Sequence, residues 1–149
     1  MSGYSGTPLV QKLGIKPGHF VYVVSPPGDY AALVGSLPEN VRVVTRWSGA
    51  PQVIHVFVTE RADLERQLKE LQAKMPQDGM IWVSWPKKSA KIPTSVTEDV
   101  IRQVALPLGL VDVKVCAVDE VWSGLKLVIR VANRKPGRDA KKVADKKMK

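Results

Sequence analysis

The sequence is poor in the residues from which many sites are built. It holds one cysteine, Cys116, and two histidines, His19 and His55. A lone cysteine excludes an internal disulfide and any cysteine-based zinc site. Neither histidine sits near Asp or Glu at metal-ligand spacing, so no metal is expected. Ser84 has no flanking glycine and is no nucleophile elbow. No local spacing marks a pair of carboxylates for acid–base work. The apolar runs, such as Val21-Tyr22-Val23-Val24, are far too short to span a bilayer, and no membrane association is expected. No charged n-region with an apolar h-region opens the chain, which leads to the expectation of a cytoplasmic protein.

What the sequence does contain fits one domain. Its 149 residues, 44% of them hydrophobic, suffice for a single core without staples. The net charge of +9 is unevenly spread. Residues 133–149 carry eight Lys or Arg against Asp139 and Asp145, leaving only +3 for the other 132 residues. The reading is therefore a domain over 1–132, with 1–18 as a lead-in, followed by a disordered basic tail over 133–149. Arg134, Lys135, Arg138, Lys141 and Lys142 of that tail are candidates for nucleic-acid contact. No aromatics interleave them to stack bases, so a solubilising extension is the favoured reading.

Periodicity predicts the elements. Phe20–Ser25 is a nearly unbroken apolar run, as in a strand buried on both faces. Asp29–Leu37 suits a short helix, and Val41–Arg46 and Val53–Val58 suit strands. Across 61–75, Leu64, Leu68, Leu71 and Met75 recur at helical spacing, with Glu65/Lys69 and Glu70/Lys74 as i,i+4 pairs. Met80–Trp85 is a strand. Ser95-Val96-Thr97-Glu98 reads as a capping box, with Thr97 as another cap, before a helix through Leu108. Val111–Val118 and Leu125–Val131 are strands joined closely enough to be antiparallel. Alternating βα units with buried strands imply an α/β, Rossmann-like three-layer fold: a mostly parallel six-stranded sheet closed by an antiparallel hairpin strand.

Two segments suggest a site. Trp82-Val83-Ser84-Trp85-Pro86-Lys87-Lys88 and Val118 to Lys126 each run from a strand into aromatic, cationic and polar residues. Open α/β sheets bind ligands outside the carboxyl ends of their strands. Ser25, Gly28, Trp85, Lys87, Lys88, Trp122, Ser123 and Gly124 are thus the candidate ligand-binding residues. The lysines would hold a carboxylate or phosphate, and the tryptophans would stack on a planar group. Asp119 and Glu120 are the candidate acid–base groups, set against simple turn chemistry. His55, among Val53, Ile54, Val56 and Phe57, reads as a satisfied core histidine. Tyr4-Ser5-Gly6-Thr7 is expected to fold over the carboxyl edge as a lid.

From Ile15 onward the order of elements resembles a shortened class I methyltransferase. Ile15-Lys16-Pro17-Gly18 before the first strand and Met75-Pro76-Gln77-Asp78-Gly79 before Met80 are similar to that family's strand entrances. The closing hairpin resembles its last two strands. The resemblance implies adenosylmethionine as cofactor, yet the motifs that would hold it depart from the pattern. The first turn is Ser25-Pro26-Pro27-Gly28-Asp29 rather than a glycine-rich one. Thr45-Arg46-Trp47 stands where an acid should meet the ribose, and Val58-Thr59-Glu60 is no catalytic loop. A second resemblance rests on Gly3 to Leu9, Trp82 to Lys87 and Asp119 to Leu125. Those segments are similar to a family of short bacterial proteins labelled only as a domain of unknown function. The expected function is a non-catalytic, small-molecule-binding or regulatory domain, without cofactor, whose partner is a small anion or a protein. An atypical adenosylmethionine-dependent methyltransferase is the alternative, and nucleic-acid association through the tail is the second.

Overall fold

The computed structural model describes residues 8–133. The expected lid at Tyr4–Thr7 and nearly all of the basic tail lie outside them. The strands are β1 (Phe20–Val24), β2 (Arg42–Val44), β3 (Val53–Phe57), β4 (Met80–Pro86), β5 (Leu110–Ala117) and β6 (Trp122–Ile129). They form one sheet in the order β2-β1-β3-β4-β6-β5. Pairings among β1 to β4 are parallel, while β6 runs antiparallel to both β4 and β5. The three-layer expectation and the single antiparallel strand both hold.

Among the described residues, four α-helices cover the sheet: α1 (Leu9–Leu13), α2 (Tyr30–Val34), α3 (Arg61–Lys74) and α4 (Glu98–Ala105). On one face, Leu64, Leu68 and Leu71 of α3 and Ile101, Val104 and Ala105 of α4 pack on Ile54, Val56, Ile81, Val83, Leu125 and Leu127. This is the stripe that the helical spacing encodes. On the other face, the five-residue helices α1 and α2 cover Val21, Val23, Val53, Phe57 and Trp82. Within the lead-in over 1–18, Leu9–Leu13 forms helix α1, because Leu13 has a core to enter and its carbonyl accepts the Trp82 indole N–H at 2.9 Å.

Two local expectations change. The Ser95 capping box does not form: Ser95 Oγ accepts from Arg61 N at 2.7 Å, and Thr97 Oγ1 caps α4 through Val100 N at 3.2 Å. Ser95 is thereby spent on joining two elements rather than starting one. The final strand begins at Trp122, not Leu125, because Trp122 pairs with Pro86 and Ser123 with Trp85. The hairpin is consequently tighter than the polar residues suggest.

Candidate functional site

The end of β4 and the chain after it build a cleft. Lys87 N bonds to Val121 O at 2.7 Å, which ties the exit of β4 to the β5–β6 turn. Beyond it, Thr94 Oγ1 donates to Thr59 O at 2.7 Å and Ser95 N to the same carbonyl at 3.0 Å. Residues 88–97 are therefore held across the carboxyl ends of β3 and β4. Between this strap and the start of α4 lies a cleft of about 620 Å³, lined among others by Trp85, Lys87, Lys88, Ile92, Val96 and Arg102.

The charges in the cleft are of two kinds. Arg102 is engaged: it donates to Asp112 at 2.9 Å, to Asp99 at 3.1 Å and to Glu98. Those hydrogen bonds, Asp112 foremost, hold the guanidinium above its ordinary pKa, and Arg102 in turn holds the Asp112 carboxyl below its own. By contrast, among the described residues neither Lys87 nor Lys88 pairs with a carboxylate. The two ammonium groups remain available for an anion entering the cleft, while Ile92 and Val96 offer apolar wall.

The expected site residues separate in space. Trp85, Lys87 and Lys88 line the cleft; Ser25, Gly28, Trp122, Ser123 and Gly124 do not. Ser25 and Gly28 follow β1, which is separated from β4 by β3. Trp85 is only 8% exposed and packs in the core, which leaves little of its ring open for stacking. Trp122 is committed to Phe57, ring centroids 5.3 Å apart at 87°. Gly124 is internal: a Cβ there would lie 3.2 Å from the Trp82 ring and 3.1 Å from Val118. Asp119 serves its turn, accepting from Val121 N at 2.8 Å and Trp122 N at 2.7 Å through one oxygen. Glu120 is exposed on the same turn.

One constellation escaped the sequence. Tyr30 OH lies 2.7 Å from His55 Nδ1, and His55 Nε2 lies 2.7 Å from Ser84 Oγ. The Ser–His geometry matches that of an activated nucleophile. Burial decides against that role: His55 and Ser84 are both 0% exposed, so no substrate reaches the hydroxyl. Burial also pushes the His55 pKa down to about 3 and the Tyr30 pKa up. The ring is thus neutral, with one nitrogen donating and one accepting, and the hydroxyls supply the complementary partners. His55 is a satisfied core histidine, as its apolar neighbours suggested. Its partners were hidden because the sequence does not state that β3 pairs with β4 or that α2 packs over both.

No family model and no curated protein matches the sequence. Solved structures do match. An adenosylmethionine-dependent methyltransferase from Aquifex aeolicus superposes with a TM-score of 0.58 at 15% identity, over 81% of this chain and 87% of that one. A methyltransferase-like protein of Thermoplasma acidophilum gives 0.53 at 8% identity, over 85% and 76%. Aeropyrum pernix fibrillarin, with bound S-adenosyl-L-methionine, gives 0.52 at 12% identity, over 85% and 70%. The chain has a methyltransferase-like fold. At these identities the likeness establishes architecture, and the cofactor must be tested on the residues.

The usual cofactor cradle does not fit this methyltransferase-like chain. Between β1 and α2, Pro26 and Pro27 offer no N–H. A Cβ on Gly28 would meet nothing within 4 Å, so that glycine serves no close approach of backbone. Asp29 is occupied in capping Ala31 N at 3.1 Å. After β2, Trp47 packs edge-on against Tyr22 at 5.3 Å and receives Lys74 Nζ over its ring at 4.4 Å. Only eight residues separate Val44 from Val53, too few for a further helix and strand. Among the described residues, no group of three His, Cys, Asp or Glu is placed to hold a metal, and no helix is long and apolar enough to cross a membrane.

Proposed function

We propose that this chain is an atypical methyltransferase-like protein that binds a small anionic ligand in the cleft between β4 and α4. The observation that carries the proposal is that cleft: about 620 Å³ at the carboxyl end of β4, where Lys87 and Lys88 stand outside any described ion pair while the Glu98 and Asp99 carboxylates of the same lining are held by Arg102. Its volume falls within the range of small-molecule sites. The structural neighbours, including one with bound S-adenosyl-L-methionine, support a methyltransferase reading over a purely non-catalytic one. The β1 turn, with two prolines that lack N–H donors and Asp29 committed to capping α2, supports a ligand held elsewhere than in the usual cradle.

A purely binding or regulatory role is the second reading, and it rests on that same unfit cradle. Calorimetric titration with S-adenosylhomocysteine separates the two. Micromolar binding that Lys87→Ala weakens about tenfold would establish the methyltransferase reading with the ligand in the cleft. Absence of heat at high protein concentration would leave the binding role, to be pursued with anionic metabolites. Binding indifferent to Lys87→Ala would remove the cleft from either.

A further inference from the structure

The charges that line the cleft are segregated. On the strap side, Lys87 and Lys88 follow β4, and no carboxylate among the described residues pairs with either. On the helix side, Glu98 and Asp99 occupy the first turn of α4. The charged residues of the adjoining loops, Glu60, Lys91, Asp119 and Glu120, do not line the cleft. Arg102 is the cation of the helix side, and it is shared among Glu98, Asp99 and Asp112. Three carboxylates against one guanidinium leave an excess of two negative charges there. The positive pole of a helix offsets only about half a charge, so that side stays negative.

Both lining carboxylates keep acceptor capacity. Each meets Arg102 through a single oxygen, Oε2 of Glu98 and Oδ1 of Asp99, and a carboxylate accepts through two. Their side chains are 41% and 84% exposed, which keeps them within reach of a solute. The lining hydroxyls are already spent: Thr94 Oγ1 donates to Thr59 O, and Thr97 Oγ1 caps Val100 N. The rest of the lining is apolar. Ile92 stands 38% exposed, together with buried Trp85, Pro86 and Val96. Among the described residues, no group of His, Cys, Asp or Glu is placed to hold a metal, so the acids of α4 await a different cation.

We propose that the ligand of this cleft is zwitterionic: its anionic group, a carboxylate or phosphate, faces Lys87 and Lys88, its ammonium faces Glu98 and Asp99, and a short apolar body lies on Ile92. The inference rests on the reading that the cleft holds a small anion, and it adds the other end of that molecule. Complementary charge on both sides selects against simpler solutes. A plain anion meets the lysines but is repelled by the excess negative charge of the helix side. A plain cation meets the acids but is repelled by the lysines. A solute carrying both charges satisfies both sides, and its uncharged middle matches the apolar lining.

The test is calorimetric titration of the full chain with three solutes of matching length: ε-aminocaproate, caproate and hexylamine. The zwitterion is expected to bind about fivefold more tightly than either of the others, the yield of one partly exposed ion pair. Lys87→Ala combined with Lys88→Ala should weaken ε-aminocaproate and caproate alike. Glu98→Gln combined with Asp99→Asn should bring ε-aminocaproate down to the affinity of caproate. Caproate binding as tightly as ε-aminocaproate, with both lost in the lysine variant, would overturn the zwitterion and leave an anion-binding cleft standing. No heat from any solute, hexylamine as the tightest of the three, or binding that ignores the lysine variant would remove the anion-binding cleft and this inference with it. The ranking on the wild type needs no substitution, so it decides the matter even where loss of Arg102's partners unfolds the acid variant.

Discussion

The two faces of the sheet are held by different means. Over the α3/α4 face, long amphipathic segments bury leucine and valine, and their charges are paired within one turn of helix, as in Arg61–Glu65 at 3.0 Å and Lys74–Glu70 at 3.1 Å. Over the α1/α2 face, two five-residue helices contribute few apolar groups. There the Tyr30–His55–Ser84 chain joins a helix to two strands through buried hydrogen bonds, and the half-buried Lys126 feels the like charges of Lys114 and Lys16. The first face rests on non-directional burial, which tolerates change. The second depends on directional partners, where one loss leaves another group unpaired in a dry place.

The sharpest way to break this contrast is at His55. His55→Ala removes a buried ring and orphans two hydroxyls, for an expected loss of roughly 3–5 kcal/mol in denaturant unfolding. Tyr30→Phe, which orphans only Nδ1, should cost about 1–3 kcal/mol. If both behave like neutral surface changes, the network is incidental.

Acid should sharpen the same contrast. His55 titrates near 3 when folded, against 6.5 for the ordinary side chain. Between those values the unfolded chain binds a proton that the folded one refuses. Stability from this group is therefore whole above pH 6.5 and falls as pH drops towards 3, at about 1.4 kcal/mol per pH unit. His19, also lowered by burial and by Lys16, acts in the same direction. The difference between the wild type and His55→Gln over pH 6.5–4.5 isolates His55, and equal slopes would count against its burial as a neutral ring.

Smaller effects are expected from charge. Asp112→Asn, on the ion-paired side, should lower the melting temperature by about 2 °C and less at high salt. Lys126→Met keeps the stem and removes a crowded charge, so it should raise stability by roughly 0.5 kcal/mol at low salt. A loss instead would show that Lys126 has a favourable partner in the free protein.

The same contrast explains what was legible in the sequence. Leu64, Leu68 and Leu71 announce their helix by spacing, and the strand runs announce theirs by continuity, so the architecture follows from one-dimensional patterns. The site is another matter. Lys87 and Lys88 were found because they follow a strand, and strand ends are where ligands meet such sheets. Gly124, Asp119 and Trp122 carried the same signal for a different reason: they make a tight hairpin against Trp82 and Phe57. Ser95 and Thr97 are equally good caps on paper, and only the position of Arg61 chooses between them. Partnerships across strands, such as that of His55 with Ser84, leave no local trace.

Strand β5 is an outer strand whose Val113 and Val115 are 56% and 49% exposed, with Lys114 between them and a register shift beside it. The open edge of a strand of that composition invites a second copy to add itself, and a lysine with an irregularity is a common guard against it. That guard is electrostatic in part, so its strength depends on the solvent. Concentrating this protein in high salt should then promote the association that low salt suppresses, making dilute buffer the better medium for storage and crystallisation.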